Sequence, residues 1–71
     1  MGVTLQQAEK ILRKDQIFAQ LGFSMMIARL KKTYARNPSP EILQSCADEI
    51  NAFLDKFKSS MGGDYAVITK L

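Results

Sequence analysis

The stretch of sequence that decides the fold runs from Ile17 to Arg36 and reads IFAQLGFSMMIARLKKTYAR. It is the most apolar run in the chain and contains no proline, which predicts an α-helix. On a helical wheel the apolar side chains fall on two faces. The first face holds Ile17, Leu21, Met25, Ala28 and Ala35, with Phe18 at its edge, and the second face holds Ala19, Phe23, Met26, Ile27, Leu30 and Tyr34. A helix that is apolar on two faces must be covered from two directions, so this helix is predicted to be central.

The flanking segments also have helical signals. Thr4 and Gln7 match a capping box, so a first helix is predicted over 4–14, followed by a kink and the central helix over 15–36. Because no glycine or proline enforces a break, one unbroken helix is the alternative. Asn37-Pro38-Ser39-Pro40 must end the central helix, because residues before proline avoid helical backbone angles. Ser39 and Pro40 are a good N-cap and first helical residue, which predicts a third helix over 40–59. Residues 64–71 alternate in a strand-like way and predict a short extended tail that is disordered, packs as an apolar arm, or adds to another chain's sheet.

These elements predict an all-α fold, either a small helical hairpin or a three-helix domain, in a single domain spanning 1–71. A chain of 71 residues buries little surface. A single cysteine, Cys46, rules out an internal disulfide, and the absence of histidine leaves no usual zinc site or imidazole base. Cys46 lies on the apolar face of the third helix, which predicts that it is a core residue. No catalytic, cofactor-binding or metal-binding residue is predicted, and no cofactor is expected.

The charge is distributed unevenly along the chain. The net charge is +3, but residues 1–36 carry seven Lys or Arg against two acids, and residues 37–71 carry three against five. Arg29, Lys32 and Arg36 share one edge of the central helix, where they could contact an anion such as a phosphate. The alternative is that they are a solvated face or form salt bridges with the acidic half. No signal peptide or membrane-spanning segment is apparent, so a cytoplasmic location is expected.

One stretch resembles a known family. Pro40-Glu41-Ile42-Leu43 and Ala47-Asp48-Glu49-Ile50-Asn51, within residues 27–57, are similar to segments of the small helical-hairpin aspartyl-phosphate phosphatases of sporulation regulation. Those proteins carry a Ser-Gln-Glu-Leu-Asp motif near this place. Here Ala47 replaces the serine and Asn51 the aspartate, and the register needs a shift of one residue. The resemblance implies a helical hairpin, and it carries no activity to this chain.

The function predicted from these features is a small non-catalytic protein–protein interaction module, an adaptor, inhibitor or regulator. It would bind a protein partner, or form a homodimer, through apolar helix faces. The candidate partner-binding residues belong to the second face: Phe23, Met26, Ile27, Leu30 and Tyr34. The alternative is a small basic nucleic-acid-binding protein, and a less favoured one is a phosphatase-like hairpin regulator. Neither membrane binding nor a small-molecule substrate is expected.

Overall fold

The computed structural model describes residues 2–71, and within them the chain is all-α, as predicted. Four helices follow one another: α1 (Leu5–Arg13), α2 (Leu21–Arg36), α3 (Pro40–Met61) and α4 (Gly63–Thr69). Helix α1 packs against α2 and α3, which form the hairpin, and α4 packs against α3. All four helices contribute to one hydrophobic core, through Ala8, Phe23, Ile50 and Ile68 among others.

The start of α1 confirms the predicted capping box. The Thr4 hydroxyl accepts a hydrogen bond from the Gln7 N–H, and the Gln7 side chain accepts one from the Thr4 N–H. Two of the unpaired N–H groups at the helix start are thereby satisfied. Ala8, Ile11 and Leu12 then turn one narrow face into the core, as their spacing predicts.

The predicted start of the central helix at residue 15 is wrong. The chain does leave helical geometry at Lys14, but residues 14–20 form a linker, and α2 begins only at Leu21. Phe18 explains the linker, because its side chain turns back into the core and packs edge-on against the Phe23 ring, 4.7 Å between centroids. The Ser24 hydroxyl holds the Phe18 backbone, accepting from its N–H and donating to its carbonyl oxygen. A continuous helix through Phe18 could not make these contacts.

The hairpin between α2 and α3 is confirmed. Helix α2 ends at Arg36, and the Ser39 hydroxyl accepts a hydrogen bond from the Ile42 N–H at the start of α3. Helix α3 runs two residues past its predicted end, with non-helical backbone angles at Phe57. The apolar side of α3 enters the core through Cys46, Ala47, Ile50, Leu54 and Met61.

The prediction of an extended tail is also wrong, because residues 63–69 form α4. Gly62 joins α3 to α4 with φ of +50°, a conformation that residues with a Cβ rarely adopt. Helix α4 buries Asp64 and Ile68, which are four residues apart, and Leu71, three residues after Ile68, also packs on the core. Tyr65, Ile68 and Leu71 therefore pack on the core at helical spacing, whereas Val67, which belongs to the strand-like pattern, is 43% exposed.

Candidate interaction surface

The residues of the first face are open to solvent, except Phe18 at its edge, which lies in the core. Ile17, in the linker, is 98% exposed, and Leu21 and Met25, one helical turn apart on α2, are 72% and 65% exposed. These are the three most exposed large apolar side chains among residues 2–71. An exposed apolar stripe of this kind on a small protein is typical of an interaction site.

The stripe leads into a shallow hollow with basic walls. Met25, Ala28, Arg29 and Lys32 line an open depression of about 360 Å³ on the outer side of α2. Met25 and Ala28 contribute apolar side chains to this lining, and Arg29 and Lys32 contribute charged ones. The hollow therefore combines apolar contact area with cationic groups.

The basic edge is only partly paired. Arg29 donates a hydrogen bond to Glu49 of α3 at 2.8 Å, and this bond with the accompanying charge attraction raises the pKa of Arg29. Lys31 lies 3.9 Å from Asp15. Among residues 2–71, Lys32 and Arg36 make no ion pair. Of the three predicted anion-contacting residues, Lys32 and Arg36 are thus available to an external anion, and Arg29 is already bonded within the chain.

The second face, on which partner-binding residues were predicted, is the inner side of α2. Phe23, Ile27 and Leu30 are buried in the core. Met26 and Tyr34 are half-buried at its edge, and the Tyr34 hydroxyl donates a hydrogen bond to Glu9 of α1. These five side chains hold α2 against α1 and α3. The apolar side of α2 that stays exposed is the first face.

Two polar side chains bind distant backbone segments into the fold, and neither was predicted. The buried Asp64 carboxylate accepts hydrogen bonds from the Ala19 N–H at 2.9 Å and the Gln20 N–H at 2.7 Å, so α4 fixes the residues that start α2. Asn51 of α3 accepts from the Val3 N–H and donates to the Val3 carbonyl oxygen. No local pattern could reveal these contacts, because 44 to 48 residues separate the partners.

These contacts bear on the motif that resembles the phosphatase family. Ala47, at the serine position, is buried in the core, and the Asn51 side chain, at the aspartate position, is engaged with Val3. Gly2 lies so close that a Cβ there would overlap the Asn51 amide. In this chain the region anchors the N-terminal segment to α3.

Cys46 is a core residue, as predicted, and burial raises the pKa of its thiol. Among residues 2–71 no three His, Cys, Asp or Glu side chains are grouped to hold a metal ion. A further hollow of about 280 Å³ lies between the N-terminal segment, α3 and α4, lined mainly by apolar atoms of Val3, Leu54, Tyr65 and Ile68. The Thr4 and Thr69 hydroxyls at its edge are bonded within their own helices.

Comparisons of the chain with protein-family models, with curated proteins and with solved structures found no match in any of the three. None of the helices described is both long enough and apolar enough to cross a membrane.

The helical wheel placed Ile17, Leu21 and Met25 on one apolar face, but it could not show which of the two apolar faces would remain exposed. A helical wheel gives two faces of similar apolarity, and only the attachment of α1 and α3 decides which one they cover. The available signal was the short first helix, which offers few apolar side chains with which to cover a second face.

Proposed function

We propose that this protein is a small non-catalytic protein–protein interaction module that binds its partner through the first face of the central helix. The observation that carries the proposal is the exposure of Ile17, Leu21 and Met25 in a chain whose other large apolar side chains are mostly buried or half-buried. Fully burying such a side chain contributes roughly 1.5–3 kcal/mol, so three of them favour association strongly. An adaptor, inhibitor or regulator would act in this way.

The cytoplasmic location belongs to the same proposal. It rests on Cys46, a free thiol in a chain with no disulfide, which suits a reducing compartment.

Site-specific photo-crosslinking in cells tests the proposal. A photoreactive amino acid replaces Met25 in one variant and Val67 in a matched control, since Val67 is 43% exposed on α4, outside the first face. We expect an adduct at position 25 that protease destroys and nuclease does not, and that Leu21→Glu abolishes. No adduct at position 25, or equal adducts at both positions, would contradict an interaction site on this face.

A small nucleic-acid-binding protein is the second candidate, favoured by Lys32 and Arg36, which are exposed and make no ion pair with any of residues 2–71. Phosphate contacts release counterions, so nucleic-acid binding weakens steeply as salt rises, whereas apolar association does not. A nuclease-sensitive adduct at position 25, together with loss of binding in Lys32→Gln/Arg36→Gln, would favour this candidate over a protein partner.

A further inference from the structure

We propose that the partner is an acidic amphipathic helix of a different protein, which packs its apolar side chains on Leu21, Met25 and Ala28 and pairs its carboxylates with Lys32 and Arg36. This inference rests on the proposed function and adds the chemistry of the partner. It follows from the geometry of the face, its charge and the surfaces that the chain itself could offer.

The face has the geometry of a helix-docking surface. Leu21, Met25, Ala28 and Lys32 follow one another at spacings of four, three and four residues, so they form one row along α2. The hollow around Ala28 lies in this row and would admit an apolar side chain of a partner. A helix laid along the row would place anchors at the same i, i+4, i+7 spacing, as in other helix-in-groove complexes.

The positive charge of the face favours an acidic partner. Helix α2 contains four Lys or Arg residues and no Asp or Glu. Arg29 and Lys31 have carboxylate partners in the chain, whereas Lys32 and Arg36 have none among residues 2–71. Covering the row with a neutral or basic surface would leave these two cations unpaired and partly desolvated, which is unfavourable. Carboxylates on the partner complete both pairs.

A second copy of the chain lacks the required chemistry. Two molecules that met through the first face would bring two α2 helices of like charge together. The chain does have an acidic row along α3, formed by Glu41, Asp48 and Asp55, all exposed. The residues between them in that row are Ser45 and Ala52, so it offers no large apolar side chain to cover Leu21 and Met25.

An anionic lipid surface also fits less well than a helix. Asp15 is fully exposed, two residues before Ile17, the most exposed apolar residue of the first face. A bilayer into which Ile17 inserted would bring its negative head groups close to the Asp15 carboxylate. A discrete helix can pair with Lys32 and Arg36 without approaching Asp15.

Selection from a display library of helical peptides tests the proposal. Each peptide has about 16 residues, the length of α2, with leucine at the i, i+4, i+7 and i+11 positions. Every position that flanks the leucines encodes Glu, Gln or Lys with equal frequency. The full-length protein is the bait, and Met25→Glu is the counter-selection bait.

We expect the selected peptides to carry glutamate at the flanking positions nearest Lys32 and Arg36. Met25→Glu should weaken their binding at least about tenfold, because a carboxylate would be buried unpaired at the contact. The double variant Lys32→Glu/Arg36→Glu should weaken binding of the selected peptides by about tenfold at low salt. A repeated selection against this variant should favour lysine at the same flanking positions. The matched control, Lys56→Glu/Lys58→Glu on α3, should change neither affinity nor selection.

Each contrary result has a distinct meaning. Peptides that depend on Met25 but show no preference for glutamate would overturn the acidic partner and leave the proposed function standing. A selection that yields no Met25-dependent peptide would overturn this inference. The proposed function is tested separately, by the photo-crosslinking experiment at position 25. A dimer in light scattering that Leu21→Glu dissociates would assign the face to a second copy. Met25-dependent retention on phosphatidylserine vesicles but not phosphatidylcholine vesicles would assign it to a membrane.

Folding of the variants is checked by circular dichroism. Met25 and Leu21 are both largely exposed, so glutamate at either position should leave the helix content unchanged. Leu21→Glu is the second variant if Met25→Glu loses helix, and it is expected to weaken peptide binding to the same extent.

Discussion

At the scale of single residues, two polar side chains stabilise this fold by joining segments that are distant in sequence. Asp64 and Asn51 are polar, yet each connects segments that are far apart in sequence by hydrogen bonds to the backbone. Hydrogen bonds that involve a charged group, such as the Asp64 carboxylate, contribute about 1.5–3 kcal/mol, more than neutral ones. Their removal also leaves backbone N–H groups without an acceptor.

Replacing Asp64 by alanine should lower the free energy of unfolding by about 2 kcal/mol, because the N–H groups of Ala19 and Gln20 lose their acceptor. Urea denaturation followed by circular dichroism measures the change. Asp55→Ala is the matched control, since Asp55 is exposed on α3, and it should stay within about 0.5 kcal/mol of wild type. Equal effects of the two substitutions would refute the role of Asp64.

Replacing Asn51 by aspartate restores the acid found at this position in the phosphatase-like motif, but the structure predicts a loss of stability. Asparagine both accepts from the Val3 N–H and donates to the Val3 carbonyl oxygen, whereas a carboxylate can only accept. The second oxygen would face the Val3 carbonyl oxygen, which should cost about 1 kcal/mol. A thermal melt of Asn51→Asp that matched wild type would show that the Val3 contact contributes little.

At the scale of elements, the junction between α3 and α4 depends on backbone conformation. Gly62 has φ of +50° and ψ of −118°, and nothing lies within 4 Å of the position where a Cβ would be. The requirement for glycine is therefore one of backbone angles and not of space. Gly63 also has open space around it but lies within α4 without a positive φ.

These two neighbouring glycines form a matched pair. Gly62→Ala should lower the free energy of unfolding by about 1–2 kcal/mol, because alanine is strained at positive φ. Gly63→Ala should be neutral or stabilising by up to about 1 kcal/mol, because alanine loses less entropy in a helix. Urea denaturation of both variants checks the difference, and the reverse order of stabilities would contradict the structure at this junction.

At the scale of the whole molecule, the four helices share one core, and Cys46 lies inside it. Burial is the main cause that raises the pKa of the Cys46 thiol above its ordinary value of 9.0. A raised pKa in the folded state means that folding favours the protonated thiol. The resulting stability is complete below the unfolded pKa and is lost as pH rises through the folded pKa.

The difference in unfolding free energy between wild type and Cys46→Ala should therefore shrink as pH rises above about 9. At pH 7 the alanine variant should be less stable by about 1 kcal/mol, because a small cavity replaces the sulfur. In this difference, the pH dependence of stability that comes from all other groups cancels, because both proteins contain those groups. Urea denaturation at several pH values measures it, and a difference that is constant up to pH 10 would show that the thiol does not titrate on unfolding.

Much of the fold could be predicted because its signals are local. The capping box at Thr4 and Gln7, the Asn37-Pro38-Ser39-Pro40 break and the one-sided apolar pattern of α3 all depend on residues within a turn or two. Local hydrogen bonds, fixed proline angles and helical periodicity act within such short spans. The sequence alone therefore determined an all-α chain with a hairpin, a first helix capped by Thr4, and Cys46 on a buried face.

The tertiary structure decided the features that depend on distant partners. Phe18 leaves helical geometry because it can pack on Phe23, and residues 63–69 become a helix whose Asp64 binds the residues at the start of α2. The open first face was decided in the same way. Two apolar faces of one helix have similar affinity for a core, and the side that α1 and α3 cover depends on how the linker and the hairpin loop direct them. Periodicity measures how apolar a face is, and only packing determines whether that face is buried or left exposed.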